Sequence, residues 1–317
     1  MSRLQTTTVV LAGFFLAMAG SARSQTIDNT GKFFWDSPYV YGSIGGVVFR
    51  RSNPSARIIV ANNPGTTTSY LNGTDLKFGR DVGFDGTIGI RFLGREALEA
   101  RVLNFGSVSA TNSFVTPGAF IGAGFTGPGG TTFSSQYQTG LSSWEINWRH
   151  QLFDQLSLIA GVRSIKVHDD LAIQINSTVA SGDYNYNNML RGGQIGAELA
   201  LLPVSFPFQV NVVGKIGKYQ LHSGGGIIES ANGVGIGFFG TNISDQVYGS
   251  EIGVSAGYRM SKNLLLRAGY ERLTLTSLGL ASNNASNSLL NPSLLNANVY
   301  RGNLTFQGVN FAAVVSW

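Results

Sequence analysis

Runs in which apolar and polar residues alternate one for one recur along this chain, and the clearest lies near its middle. It is composed of the apolar residues Trp144, Ile146 and Trp148 and the polar residues Glu145, Asn147 and Arg149. A period of two places each set on its own face of a β-strand. After a tight turn at 153–155, Leu158 and Val162 lie on one face of a returning strand and Arg163 on the other. The pattern predicts a membrane hairpin that is apolar outside and charged inside.

The same alternation predicts three further hairpins and two single strands. Those strands span 37–50, 82–93, 96–105, 192–201, 208–219, 247–260, 264–275 and 304–317. Short turns alternate with long polar connections, which cover 51–81, 107–141, 168–190, 221–246 and 276–303. We therefore predict an all-β fold, a transmembrane up-and-down antiparallel barrel of about ten strands (range 8–12) with short periplasmic turns and long outer loops.

Three segments modify this picture. In the first strand Tyr41, Val47 and Phe49 share one face and Arg50 lies on the other. Arg272 falls on the face predicted to contact lipid, so its strand is expected to leave the bilayer near Tyr270. Residues 102–144 carry no acidic or basic side chain and are dense in Gly, Ser, Thr and Phe, which favours a long irregular loop there.

The N-terminus has the features of an export signal. Arg3 precedes an apolar run from Val9 to Ala19, and small residues follow it. We predict a cleaved signal peptide over 1–24, an N-terminal periplasmic segment over 25–36 and an outer-membrane barrel over 37–317. No later window of about 18 apolar residues could form a spanning helix. The predicted location is the outer membrane of a Gram-negative-type bacterium.

Two sets of side chains follow from the predicted faces. The predicted lumen-facing charges are Asp85, Arg91, Glu99, Arg101, Glu145, Arg149, Arg163, Glu198, Lys215, Glu251, Arg259, Arg267 and Glu271. The predicted aromatic residues at the membrane interface, near the short turns, are Phe92, Trp148, Phe208, Tyr258 and Trp317. The chain also ends on an aromatic residue, as the insertion signal of bacterial outer-membrane barrels does.

The amino-acid composition limits the kinds of site that the protein could contain. The chain has no cysteine, so disulfide scaffolds and thiol catalysis are excluded, and with three histidines a metal site has little support. We predict no metal and no cofactor. The net charge is +5, but the basic residues are dispersed, which argues against nucleic acid as a partner. The expected partners are outer-membrane lipid, the barrel-assembly machinery during insertion and, through an open lumen, small solutes. The sequence leaves the oligomeric state open.

Three functions stay open at this point. In a barrel this narrow the charges could pair across the lumen and plug it, leaving an anchor whose uncharged outer loops contact a partner. They could instead line a porin-like passive channel for small solutes, which is the first hypothesis. A loop-borne hydrolase would use His168, Asp169 and Asp170 with His222, but no second acidic pair supports it, and we predict no catalytic residue and no enzyme.

Several of these segments resemble a known family. The Glu145-x-Asn147-x-Arg149 strand with its short turn and return strand, residues 187–201 followed by 210–222, and the closing 306–317 are similar to beta-barrel porin family seven, known mainly from planctomycete-type bacteria. The similarity spans about 80–317. It departs at His168 and in the first strand, which lacks a Trp-rich signature. The resemblance implies an outer-membrane barrel and, by architecture alone, a porin.

Overall fold

The computed structural model describes residues 39–62, 69–92, 95–122, 125–176, 180–203, 206–231, 234–288 and 299–317. The predicted signal peptide (1–24) and the predicted periplasmic segment (25–36) lie outside the described residues. Among the residues that are described, no helix is both long enough and apolar enough to cross a membrane.

The described chain is almost entirely β-structure. In chain order it forms β1 (Tyr39–Arg51), β2 (Ile58–Asn62), β3 (Ser69–Asn72), β4 (Asp81–Phe92), β5 (Glu96–Val115), β6 (Phe120–Gly122), β7 (Phe125–Gly127), β8 (Thr132–Phe153), β9 (Leu156–Ile175), β10 (Ala180–Ala200), β11 (Phe208–Ala231), β12 (Val234–Arg259), β13 (Leu264–Gly279), helix α1 (Ala281–Ser288) and β14 (Arg301–Ser316). A single turn of 3-10 helix, Gly73–Asp75, follows β3.

Ten of these strands close into one barrel in the order β1-β14-β13-β12-β11-β10-β9-β8-β5-β4. Every neighbouring pair is antiparallel, and the barrel closes because β1 pairs with β14 on one side and with β4 on the other. Closure gives each strand a hydrogen-bonding partner on both sides, which is the condition for a sheet to span lipid. The outer face carries exposed apolar side chains such as Trp144, Ile195 and Ile252. The predicted transmembrane barrel of ten strands is confirmed.

Three of the segments predicted as long outer connections are largely β-strand, including the one predicted as an irregular loop. Strand β5 continues to Val115, β8 already begins at Thr132, and β9 and β10 run through most of 168–190. Strands β11 and β12 likewise run through most of 221–246. The barrel wall therefore extends well past the predicted outer edge of the membrane on the side of β5 and β8 to β12.

The reason is a reversal of the face on which the apolar residues lie. Near the short turn of β8, Trp144 and Trp148 point outward and Glu145 points inward. Farther along the same strand Tyr137 and Leu141 point inward and are buried, whereas Gln136 is exposed. The outer half of the wall faces water, so its apolar residues turn to the inside. The one-for-one alternation continues along the strand, but the apolar residues move from the outward positions to the inward positions. In a sequence this change looks like the end of a strand.

In the half of the barrel farthest from the short turns, the lumen is filled by a small sheet and a helix. Strands β3-β2-β6-β7 form a small four-stranded sheet. Side chains of this sheet and of α1 join a single buried apolar core with the inward residues of the barrel. Tyr41, Val47 and Phe49 of β1 share one face, as predicted, and it is the inner one.

Candidate functional site

The inner half of the lumen, nearest the short turns, holds a cluster of paired charges. At its centre Lys215 bridges two carboxylates, since its Nζ lies 2.8 Å from Glu145 Oε1 and 2.7 Å from Glu251 Oε1. Arg163 donates to Glu251 Oε2 at 2.5 Å, and its Nε lies 3.7 Å from Glu145 Oε2. These residues come from β8, β9, β11 and β12, so the pairs cross the lumen between strands.

Arg101 extends this cluster to the opposite wall. Its guanidinium holds Asp85 with two hydrogen bonds of 2.8 and 2.9 Å. It also donates to Glu251 at 3.0 Å and to Glu271 at 2.7 Å. A planar guanidinium with five N–H donors is suited to this role, because it can hold several carboxylates at once. Arg101 therefore connects β4, β12 and β13 through one side chain.

A second cluster lies closer to the short turns. Arg149 donates to Glu99 and to Glu198, each at 2.6 Å, and the hydroxyl of Tyr41 donates to Glu99 at 2.6 Å. Arg91 donates to Gln151 at 2.8 Å and stacks over the ring of Tyr39. The structure places all thirteen predicted charges on the inner face of the barrel. Arg267 lines the lumen beside these clusters, and Arg259 lies on the inward face at the short-turn end of β12.

Uncharged polar residues complete the network and were absent from the predicted set. Gln194 donates to Glu145 and to Asn147 at 2.7 Å each, and the hydroxyl of Tyr219 donates to Gln194 at 3.3 Å. Ser143 accepts from Arg163 at 2.9 Å. The signal in the sequence was their position, since Gln194, Asn147 and Ser143 occupy the same inward phase as the charged residues of their strands.

The clusters surround one small cavity. Its volume is about 160 Å³, and its walls include Arg101, Arg149, Glu198, Lys215 and Glu271. A water molecule occupies about 30 Å³ in the liquid, so the space has room for about five waters or for one small molecule. A ten-stranded barrel has little more room than one of about eight strands, which its own side chains fill.

An apolar layer lies on the outer side of this cavity. It is formed by inward residues from nine of the ten barrel strands, namely Phe49, Phe105, Leu141, Ile165, Leu190, Tyr219, Val247, Leu273 and Phe306. Each of them is at most 3% exposed. Phe105 packs against Phe49 and Phe306, with ring centroids 5.4 and 4.9 Å apart.

The apolar layer and the charged clusters occupy successive levels of the same strands. Ile165 lies two residues beyond Arg163 on β9, and Leu273 lies two residues beyond Glu271 on β13. Tyr219 lies four residues beyond Lys215 on β11. The lumen of the described residues is therefore polar near the short turns and packed with apolar side chains above them.

A buried ion pair lies farther out still, against α1. Arg51 donates to Asp169 at 2.6 Å, and the carboxylate of Asp169 also accepts from Thr139 at 2.6 Å and from Tyr137 at 2.7 Å. The first backbone N–H of α1, that of Ala281, donates to Asp169 at 2.8 Å. This pair fixes α1 inside the barrel mouth, and no charge pattern in the sequence singled out Arg51.

The residues of the hydrolase hypothesis are not brought together. Asp169 points inward to Arg51, whereas His168 and Asp170 point outward, where they pair with each other. His168 also lies 2.8 Å from the side-chain oxygen of Asn187. Burial raises the pKa of Asp170, which lies on the part of β9 beyond the membrane. His222 is exposed on β11, and β10 separates it from β9.

The predicted interface aromatics lie near the short turns. Trp148, Phe208 and Tyr258 are exposed on the outer wall, and Phe92 and Trp317 are half-buried at the same end of the barrel. Phe208 and Tyr258 are register partners, and their ring centroids are 5.0 Å apart. Amphipathic rings at this level suit the boundary between lipid headgroups and acyl chains.

No protein-family model and no curated protein matches the chain, so the resemblance to beta-barrel porin family seven stays a prediction. Solved structures of other outer-membrane barrels are similar in fold, and three of them serve as examples. They are the outer membrane protease OmpT from Escherichia coli (11% identity, 91% of this chain and 99% of that chain covered, TM-score 0.47), the translocator domain of the autotransporter NalP from Neisseria meningitidis (10%, 98% and 96%, 0.38) and the P. putida toluene transporter TodX (9%, 88% and 89%, 0.30). At these TM-scores the similarities support no conclusion about function.

Proposed function

We propose that this protein is an outer-membrane barrel with a closed lumen, which anchors and presents a rigid outer extension, and that it is not a porin-like channel. The observation that carries the proposal is the apolar layer. Inward side chains from nine strands meet there in one buried cluster, with Phe105 in contact with Phe49 and Phe306. An ion would have to give up its hydration to pass such a layer, at a cost of many kcal/mol.

The charged clusters support a structural role as well. The cations Arg101, Arg163 and Lys215 each contact at least two carboxylates, so their charges are already engaged. A conducting pore keeps its binding weak enough for ions to leave. Charges held in close pairs on a packed lumen serve instead to fix the strands to each other.

The outer extension is the part of the barrel that could meet a partner. Strands β5 and β8 to β12 continue past the apolar outer face, and the parts of β5 and β8 that lie within the uncharged segment 102–144 contribute to that wall. Most of its apolar side chains, such as Phe133 and Tyr137, point inward, and its outer surface is mainly polar, with Val115 and Ile228 as exposed exceptions. A wall of this kind suits display at the cell surface.

Planar-bilayer recording of the refolded full chain tests the proposal. The wild-type barrel should insert without ohmic current steps, whereas a general-diffusion porin in the same preparation conducts. The variant Phe49→Ala/Phe105→Ala/Phe306→Ala, with heat-modifiable migration on a gel as the check that it folds, should open the layer and conduct. Stable wild-type steps whose ion selectivity changes in Glu145→Gln would overturn the closed lumen and establish the channel.

A further inference from the structure

Five basic side chains point away from the lumen, into the region of the membrane. They are Arg50, Lys166, Arg191, Lys218 and Arg272, and all of them are exposed. Within the described part of the chain, none of the five makes an ion pair or a hydrogen bond through its side chain. Their charges therefore face the surroundings of the barrel without a protein counter-charge.

These cations lie at one level of the barrel. Counted from the short-turn end of its strand, Lys166 is ten residues from Leu156, Arg191 is nine from Ala200, and Lys218 is ten from Phe208. The corresponding distances are eight residues for Arg272 and eleven for Arg50. A tilted strand crosses the hydrocarbon in about 9–11 residues, so the level is the outer edge of the apolar belt.

Three of the five are neighbours on adjacent strands. In the register of β9, β10 and β11, Lys166 lies opposite Met189, two residues from Arg191. Lys218 lies opposite Gly193, again two residues from Arg191. Such diagonal neighbours have backbones about 7–8 Å apart, close enough for two long side chains to reach one group between them.

The surface beneath the three cations is apolar and has a gap. Val162, Ile195 and Ile216 are exposed just below them on the same strands. A side chain added at Gly193 would meet nothing closer than 3.8 Å, so this glycine leaves open space between Arg191, Lys218 and the apolar residues. The cations can bend toward a headgroup while their aliphatic stems stay against lipid.

We propose that Lys166, Arg191 and Lys218 form a binding site for the phosphate group of a phosphorylated glycolipid in the outer leaflet, with its acyl chains along Val162, Ile195 and Ile216. Three like charges this close repel each other, and an anion among them offsets that repulsion. A phosphate monoester brings between about −1.5 and −2 charges and oxygens that Arg holds in bidentate fashion. The site lies on the outside of the wall and does not depend on whether the lumen is closed.

Binding of lipid A that carries two phosphates tests the proposal. The refolded full chain in detergent is titrated with this lipid, and the bound fraction is measured by native mass spectrometry. The variant Lys166→Gln/Arg191→Gln/Lys218→Gln should raise the dissociation constant at least tenfold. The matched control Lys77→Gln/Arg95→Gln/Lys262→Gln removes three exposed cations from the outer loop and the short turns. It should change the dissociation constant by less than twofold.

Three results would overturn the proposal. The first is equal binding by the wild-type barrel and the Lys166, Arg191 and Lys218 variant, provided that circular dichroism shows both folded. The second is equal binding of lipid A from which both phosphates have been removed, which would mean that the wall recognises acyl chains alone. The third is displacement of the lipid by stoichiometric inorganic phosphate, which would mean that the site takes a free anion.

Discussion

Lys215 offers the most direct measure of how much the charged clusters stabilise the barrel. Its ammonium lies 2.8 Å from Glu145 and 2.7 Å from Glu251, and the side chain is buried. Around it, three cations (Arg101, Arg163 and Lys215) face four carboxylates (Asp85, Glu145, Glu251 and Glu271). The substitution Lys215→Met keeps the length of the side chain and leaves two cations against the same four carboxylates.

The expected cost follows from those two contacts. Each hydrogen bond between buried ions contributes about 1.5–3 kcal/mol, and breaking a buried pair by removing one partner costs about 3–5 kcal/mol. We therefore expect Lys215→Met to lower the free energy of unfolding by about 3–5 kcal/mol at neutral pH. The loss should shrink as the pH falls, because a proton on Glu145 or Glu251 replaces the missing positive charge.

The assay is urea unfolding of the barrel refolded in lipid vesicles, followed by tryptophan fluorescence. Trp144 and Trp148 are exposed on the outer wall, so their emission should shift when they leave the lipid. Lys262→Met is the control, since Lys262 is exposed in the turn between β12 and β13 and is unpaired among the described residues. Equal unfolding midpoints for the two variants between about pH 5 and pH 8 would refute the reasoning.

Three further predictions can be checked with the same unfolding assay. Phe105→Ala should cost about 3–5 kcal/mol because the ring is buried between two others, whereas the exposed Phe153→Ala should cost far less. Asp169→Ala should cost a similar amount, about 3–5 kcal/mol, by leaving Arg51 buried without its partner, and should make α1 more sensitive to limited proteolysis. Partial burial raises the pKa of Asp183, on the outer part of β10, above its ordinary 3.8. The folded state therefore binds this proton more tightly than the unfolded state, and it gains stability as the pH falls through the raised pKa. Asp183→Asn should remove that pH dependence.

The features that could be predicted from the sequence are those set within a single strand, namely its position in the chain and the direction in which its side chains point. The alternation around Trp144 identified the hairpin of β8 and β9, and the need to keep charge away from lipid placed Glu145 and Arg101 inside. Pairings such as Arg101 with Glu271 could not be predicted, because the stagger of strands around a closed barrel brings them together across the lumen.

Strand length was the other failure, and it has a local cause. Tyr137 and Leu141 on β8 are apolar residues of the inward phase, which nearer the short turn is the charged phase of Glu145. A change of phase looks the same in a sequence whether the strand stops or the solvent outside it changes from lipid to water. The ion pair of Arg51 and Asp169 was missed for a related reason, since its two residues lie in two segments that were predicted as loops.

Along each of the long strands, the apolar residues change from the outward to the inward positions. The same strand should therefore tolerate charged substitutions on its outward face in one half and not in the other. On β8, a charged residue in place of the outward Ile146 would be rejected by lipid, whereas one in place of the outward Gln136 would be accepted. On the inner face the tolerance is the opposite, because a polar residue is accepted at Asn147 and would be rejected in place of Leu141. A substitution scan along β8 would therefore locate the outer boundary of the membrane from sequence variation alone, without any structural probe.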